Sequence, residues 1–183
     1  MTRRTPTALE YALLGLVQQH PQSGYDLRKV FETTALGSYS GSPGAIYPAL
    51  RRLERQGLVE GEVDSTKALR PKKVFRPTGA GEEVFRHWLV QEIRREDVER
   101  GIDELMLRFA FHSVLDSKAA TSRFLASFLC QVEGYVAELN GQRRLFPAGM
   151  PFHPRLALAA GIEQYRAMAR WARKAIKELE EEE

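Results

Sequence analysis

A single cysteine, Cys130, stands in 183 residues, which excludes an internal disulfide framework. Long apolar runs are missing too: the longest unbroken one, Leu156–Ala160, falls far short of the ~20 residues a bilayer span needs. The N-terminus, MTRRTPTALEY, is basic but has no apolar signal-peptide core, so a cytoplasmic chain with no membrane partner is the expectation. His20, His87, His112 and His153 are isolated from cysteine or carboxylate at ligand spacing, and no metal site is expected. Gly79-Ala80-Gly81 is followed by no Gly-Lys-Ser/Thr, so it reads as a helix entry and not a phosphate loop. Glu82-Glu83 and Asp103-Glu104 are acids suited to the positive ends of helices. No nucleophile, base or metal constellation appears, so neither enzyme activity nor a cofactor is expected. Cys130 sits among apolar residues and is expected to be buried and inert.

What is present supports a packed core: 43% of the residues are hydrophobic and 28% charged. The length suits one large domain or two small ones. The net charge of +3 hides an asymmetry, because residues 1–80 hold 12 Lys+Arg against 7 Asp+Glu. The remaining residues hold 15 against 17. The basic excess therefore lies in the first part of the chain, as expected if that part faces phosphates.

That part is organised around Ser42–Glu62. Ser42 can accept from orphan helix N–H groups, and Pro43 suits a first helical position. Gly57 supplies the left-handed residue that closes the helix. Ile46, Leu50 and Leu53 recur at helical spacing and define a buried face. Gly44, Tyr47, Pro48, Arg51 and Arg55 fall on the opposite face, with Arg52 at its edge. By itself this pattern also suits a core helix with a solvated basic side. Pro48 inside a helix would clash with the carbonyl four residues back, and Gly44 is the residue there that gives the backbone freedom to adjust.

The flanking segments favour the more specific reading. Leu58–Val63 alternates and reads as a strand, Asp64–Arg70 as a polar turn, and Pro71–Arg76 as a return strand. Upstream, Thr7 caps a first helix carrying Leu9, Leu13, Leu14, Leu16 and Val17, which ends near Gln19-His20-Pro21. Ser23 caps a second helix over Gly24–Glu32 with Leu27, Val30 and Phe31 inward. A loop follows from Thr34 to Gly41, and after the wing Thr78 caps a helix from Gly79 to about Gln91. Three helices followed by a two-stranded ribbon form a winged helix-turn-helix, in which one helix enters the major groove and the ribbon reaches the backbone. The candidates for DNA contact are Ser42, Gly44, Tyr47, Pro48, Arg51, Arg52 and Arg55 on the recognition helix. Ser23, Tyr25 and Lys29 on the second helix, and Arg70, Lys72 and Lys73 of the wing, join them.

Ser23-Gly24-Tyr25-Asp26-Leu27, then Gly44-Ala45-Ile46-Tyr47-Pro48-Ala49-Leu50-Arg51-Arg52-Leu53-Glu54, then Gly57-Leu58-Val59, resemble the PadR family of bacterial transcriptional regulators. So does Val74-Phe75-Arg76-Pro77-Thr78-Gly79-Ala80-Gly81, although Phe75 replaces a tyrosine and Pro77 a leucine or isoleucine of the family's wing. The phenylalanine keeps the ring and loses a hydroxyl. The resemblance implies a homodimeric winged-helix protein, usually a repressor that releases DNA when it binds a small molecule.

The second half is all helix by pattern. A densely apolar segment over Asp97–Val114 precedes a helix opened by Asp116-Ser117. That helix carries Phe124, Leu125, Phe128, Leu129, Val132, Tyr135, Val136 and Leu139 on one face. After a Pro/Gly-rich break over Phe146–Pro154, a last helix from Arg155 aligns Leu158, Ile162, Tyr165, Met168, Ala169, Ala172, Ile176 and Leu179. Two such stripes need a surface to cover them. An intramolecular bundle would do so, but pairing across a dimer axis is the favoured expectation. Phe124, Phe128, Val132, Tyr135, Leu158, Ile162, Tyr165 and Met168 are its candidate residues. This part resembles the helical dimerisation module that many PadR-like proteins append.

The whole is expected to be mainly α. Residues 1–91 form a winged helix of three helices and a two-stranded β wing, and residues 92–183 an all-helical dimerisation domain. The expected function is sequence-specific transcriptional regulation by a homodimeric repressor on double-stranded, palindromic operator DNA, released by a small apolar or aromatic effector. The alternative is a winged-helix module for protein contacts without specific DNA binding.

Overall fold

Local capping signals set the helix boundaries in the computed structural model, which describes residues 4–40, 42–64, 72–145 and 149–182. The chain divides into two units, Met1–Leu89 and Val90–Glu183. Thr7 and Glu10 close a reciprocal capping box: Glu10 N donates to Thr7 Oγ1 at 3.3 Å and Thr7 N to Glu10 Oε2 at 2.9 Å. Helix α1, Ala8–Gln19, starts there and is buried along Leu9–Val17, which makes it the centre of the first unit. Ser23 accepts from Asp26 N at 3.2 Å and opens α2, Gly24–Thr33, where Leu27 and Phe31 are buried and Val30 partly so.

Three details differ from the sequence reading. The segment expected as a loop after Thr34 contains a 3-10 turn, Ala35–Tyr39, because the Thr34 hydroxyl caps it by accepting from Leu36 N at 3.3 Å. Ser42 makes no side-chain cap; its carbonyl instead accepts from Ala45 N at 3.0 Å. That bond closes a 3-10 turn over Pro43–Ala45, and the α-helical part, α3, begins only at Ile46 and ends at Arg55. Pro48 thus falls in the first turn of α3, where no N–H partner is needed. At the other end Gly57 has φ +68°. Leu58 N donates to Leu53 O at 2.9 Å and Gly57 N to Glu54 O at 2.9 Å, the paired bonds of a Schellman stop.

The ribbon follows as β2, Val59–Asp64, and β3, Lys72–Pro77, antiparallel with Val59 opposite Pro77 and Asp64 opposite Lys72. A third, two-residue strand, β1, Gln22–Ser23, pairs with Phe75 and Val74, so the sheet order is β1-β3-β2 where two strands were expected. Asp64, expected to open the polar turn, is the last residue of β2, while the rest of that turn, Arg70 included, lies outside the described residues. Thr78 joins the end of α3 to the next helix: its Oγ1 donates to Gly57 O at 2.6 Å and accepts from Gly81 N at 3.1 Å. Helix α4, Gly79–Leu89, buries Phe85, Trp88 and Leu89, and Trp88 stacks on Tyr11 with ring centres 4.2 Å apart.

The second unit is helical. The apolar segment is broken at Gly101 into α5, Arg95–Arg100, and α6, Ile102–Ala110, with a 3-10 turn over His112–Leu115. Ser117 accepts from Ala120 N at 3.2 Å and opens α7, Lys118–Arg144. Helix α8 spans Phe152–Glu181, starting earlier than Arg155 because Pro154 fits a first turn as Pro48 does. Helices α7 and α8 run antiparallel against each other, with Tyr135 edge-on to Tyr165 at 4.6 Å and Phe128 edge-on to Trp171 at 5.8 Å.

The stripes expected to meet across a dimer axis are therefore covered largely within the chain. Phe124, Phe128, Val132 and Ile162 are buried; Phe124, Phe128 and Val132 join Ile93, Val98, Leu105 and Ala169 in one core, against which Tyr135, Tyr165 and Met168 pack. Leu158 is only partly buried. Cys130, expected inside, is exposed, because it lies off that stripe on α7. No helix among the described residues is long and apolar enough to cross a membrane.

Candidate nucleic-acid interface

Helix α3 is strongly two-faced because its apolar residues recur every three to four positions. Ile46, Ala49, Leu50 and Leu53 are buried, which turns Gly44, Tyr47, Arg51 and Arg55 to the exterior and leaves Pro48 half-buried. Ser42 is exposed at the head of this surface. The Tyr47 ring leans back over the start of α2, where a Cβ at Gly24 would stand 2.7 Å from Tyr47 Cε1. A side chain at position 24 would push that ring aside.

Beside α3, the loop-strand start of α2 and the return strand close an open concavity of about 430 Å³. Tyr25, Tyr47, Arg51, Lys72, Lys73 and Phe75 line it together with Ser23. Tyr25 is 52% exposed and flanked by two cations, with the Arg28 guanidinium and the Lys72 ammonium each 5.6 Å from its ring centre. Lys29 is exposed on α2 but does not line this concavity. An exposed aromatic ring between cations, beside two arginines on a projecting helix, suits a polyanion that also offers flat bases.

Three expected contact residues have their polar atoms engaged inside the unit. Arg52 turns away from the outward face, and its Nε donates to Glu10 Oε1 at 2.6 Å. Glu10 is fully buried on α1 and also accepts from Arg4 Nη2 at 2.8 and 2.7 Å. Arg52 thus anchors α3 to α1. Ser23 is buried, its hydroxyl donating to Asp26 Oδ2 at 2.6 Å. Lys73 pairs with Glu54 at 2.6 Å. Glu10, Glu54 and Phe75 were not among the sequence candidates. The capping-box pattern at Thr7–Glu10 is the one local signal that singles out Glu10, and nothing local points to Glu54. Among the described residues, no group of three His, Cys, Asp or Glu is placed to hold a metal ion.

Residues 13–87, from α1 to α4, match the PadR-like transcriptional regulator family. Over those residues the chain is similar to that family. Residues 103–180 match a second family, the virulence activator alpha C-terminal region. The negative transcriptional regulator PadR of Bacillus subtilis is 30% identical over 117 residues, covering 63% of this chain and 63% of that protein. The chain thus spans less than two thirds of that relative's length. The solved structure of Bacillus subtilis PadR with operator DNA is 27% identical and covers 93% of this chain and 98% of that one, with a TM-score of 0.42. The structure with p-coumaric acid is 25% identical over 94% and 99%, with a TM-score of 0.41. The family is one of transcriptional regulators and not of enzymes.

Proposed function

We propose that this PadR-like chain is a homodimeric repressor that binds operator DNA through the unit Met1–Leu89 and dimerises through the unit Val90–Glu183. The observation that carries the reading is the exposed basic face of α3, where Tyr47, Arg51 and Arg55 project while the apolar positions are buried. In this reading α3 enters the major groove, and Arg51 reads base edges with Tyr47 beside it. Lys72, Lys29 and Tyr25 meet the backbone. Repression and release follow the relative: the Bacillus subtilis protein is a negative regulator, crystallised with operator DNA and with p-coumaric acid. A small aromatic effector is the corresponding ligand here.

A two-fold dimer doubles a short recognition site at a spacing of about one helical turn and so implies a palindromic operator. Since α7 and α8 cover most of each other, the exposed apolar start of α8 is the surface assigned here to a second copy. Phe152 is 60% and Leu156 46% exposed there, next to Leu158.

Mobility shifts on DNA selected from a random pool test the reading. Arg51→Ala should weaken binding to the selected site by roughly 1–3 kcal/mol and relax its preference at one position. Unchanged affinity and unchanged preference would refute the placement of α3.

A further inference from the structure

The two wing lysines are held differently. Lys73 Nζ lies 2.6 Å from Oε1 and 2.9 Å from Oε2 of Glu54, on the helix next to the wing. Its aliphatic stem crosses β2 at Gly61, where a Cβ would sit 2.2 Å from Lys73 Cε and 3.1 Å from its Cδ and Cγ. Any larger residue at position 61 would push the lysine off this course. The ammonium also passes 5.4 Å from the Phe75 ring centre. Lys72, by contrast, faces the Tyr25 ring and joins no carboxylate among the described ion pairs.

We propose that Glu54 is a positioning residue for the wing: it holds Lys73 on the recognition helix and removes that charge from the count of phosphate contacts. The inference rests on the DNA-binding reading above. Lys72 is then the wing lysine that meets the backbone. The Glu54–Lys73 pair is half-exposed and therefore weak, so it can open. If Lys73 swings to a phosphate, the Glu54 carboxylate stays behind on the same face, so the pair brings no net positive charge to the DNA. Phosphate contacts carry no sequence information, and each one steepens the salt dependence. Glu54 therefore keeps one sequence-blind contact out of the interface and ties the wing to the helix that reads bases.

The test is the salt dependence of binding to a random duplex, measured with the full chain. Glu54→Gln keeps the shape and removes the charge. It should steepen the log–log slope by about 0.9, so that the affinity ratio between 50 and 200 mM salt grows about 3.5-fold. The double variant Glu54→Gln/Lys73→Gln should return to the wild-type slope. Lys72→Gln, as an internal control, should flatten it by about 0.9. The proposal is overturned if Glu54→Gln leaves the slope unchanged, or if the double variant is flatter than wild type, since Lys73 would then already count. A wild-type chain with no salt-dependent DNA binding at all would instead overturn the function on which the proposal stands.

Discussion

Glu10→Gln tests how α3 is held. The Glu10 carboxylate is fully buried and accepts from Arg52 Nε at 2.6 Å, Arg4 Nη2 at 2.8 and 2.7 Å, and Thr7 N at 2.9 Å. A glutamine keeps one acceptor oxygen, and its NH₂ must then face either a guanidinium or the Thr7 N–H. Hydrogen bonds to charged groups contribute about 1.5–3 kcal/mol, and an unpaired buried donor costs about 1–3 kcal/mol. Two features limit the loss. The side chains of Arg52 and Arg4 are 36% and 51% exposed and can recruit water once released. The expected destabilisation is therefore about 2 kcal/mol, or roughly 8–16 °C in the unfolding midpoint of a unit this size. The two tryptophans lie in different units, Trp88 stacked on Tyr11 and Trp171 among the aromatic rings of the second unit. In a Trp171→Phe background, Trp88 fluorescence reports the first unit alone. A midpoint lowered by less than about 2 °C would refute the claim that Glu10 anchors α3 to α1.

Three further outcomes are expected. Gly81→Ala would place a Cβ 1.9 Å from the Leu58 carbonyl oxygen, so it should cost about 1–3 kcal/mol or more, whereas Gly79→Ala, with nothing within 4 Å, should be neutral or stabilising by about 0.5 kcal/mol; thermal unfolding of the pair distinguishes them. The Tyr165 hydroxyl has its pKa raised, first by burial and then by the charges of Tyr135 and Glu99. The unfolded chain loses that proton first, so the second unit's stability should fall as pH rises from about 10 toward the folded-state pKa, and Tyr165→Phe should lessen the fall in alkaline unfolding. Phe152→Glu with Leu156→Glu should convert a dimer to monomers by light scattering while leaving the helical circular dichroism in place; a persistent dimer would move the interface elsewhere.

Much of this architecture is written in short-range patterns. Thr7, Ser23, Thr78 and Ser117 announce helix starts because a side-chain oxygen satisfies an N–H two or three residues on. Gly57 announces a stop because its φ of +68° suits glycine. Ile46, Leu50 and Leu53 mark the buried face of α3 by spacing alone, and with it the outward side of Tyr47, Arg51 and Arg55. The family match over residues 13–87 rests on this same local grammar.

Charge assignment is of another kind. Arg52 and Arg51 are neighbours with the same chemistry, yet Arg52 is drawn to a carboxylate 42 positions earlier in the chain. Lys73 is drawn to Glu54, 19 positions away, while Lys72 is not. Which of two adjacent cations stays available depends on what the fold brings opposite each one. The same holds for β1, a strand of two residues that exists only because β3 offers it hydrogen bonds. It holds also for α7 and α8, whose apolar stripes specify that they will be covered but not by what. Periodicity records the need to bury a face, since that follows from the side chains themselves. The partner that buries it, or neutralises a charge on it, is settled only when distant segments meet.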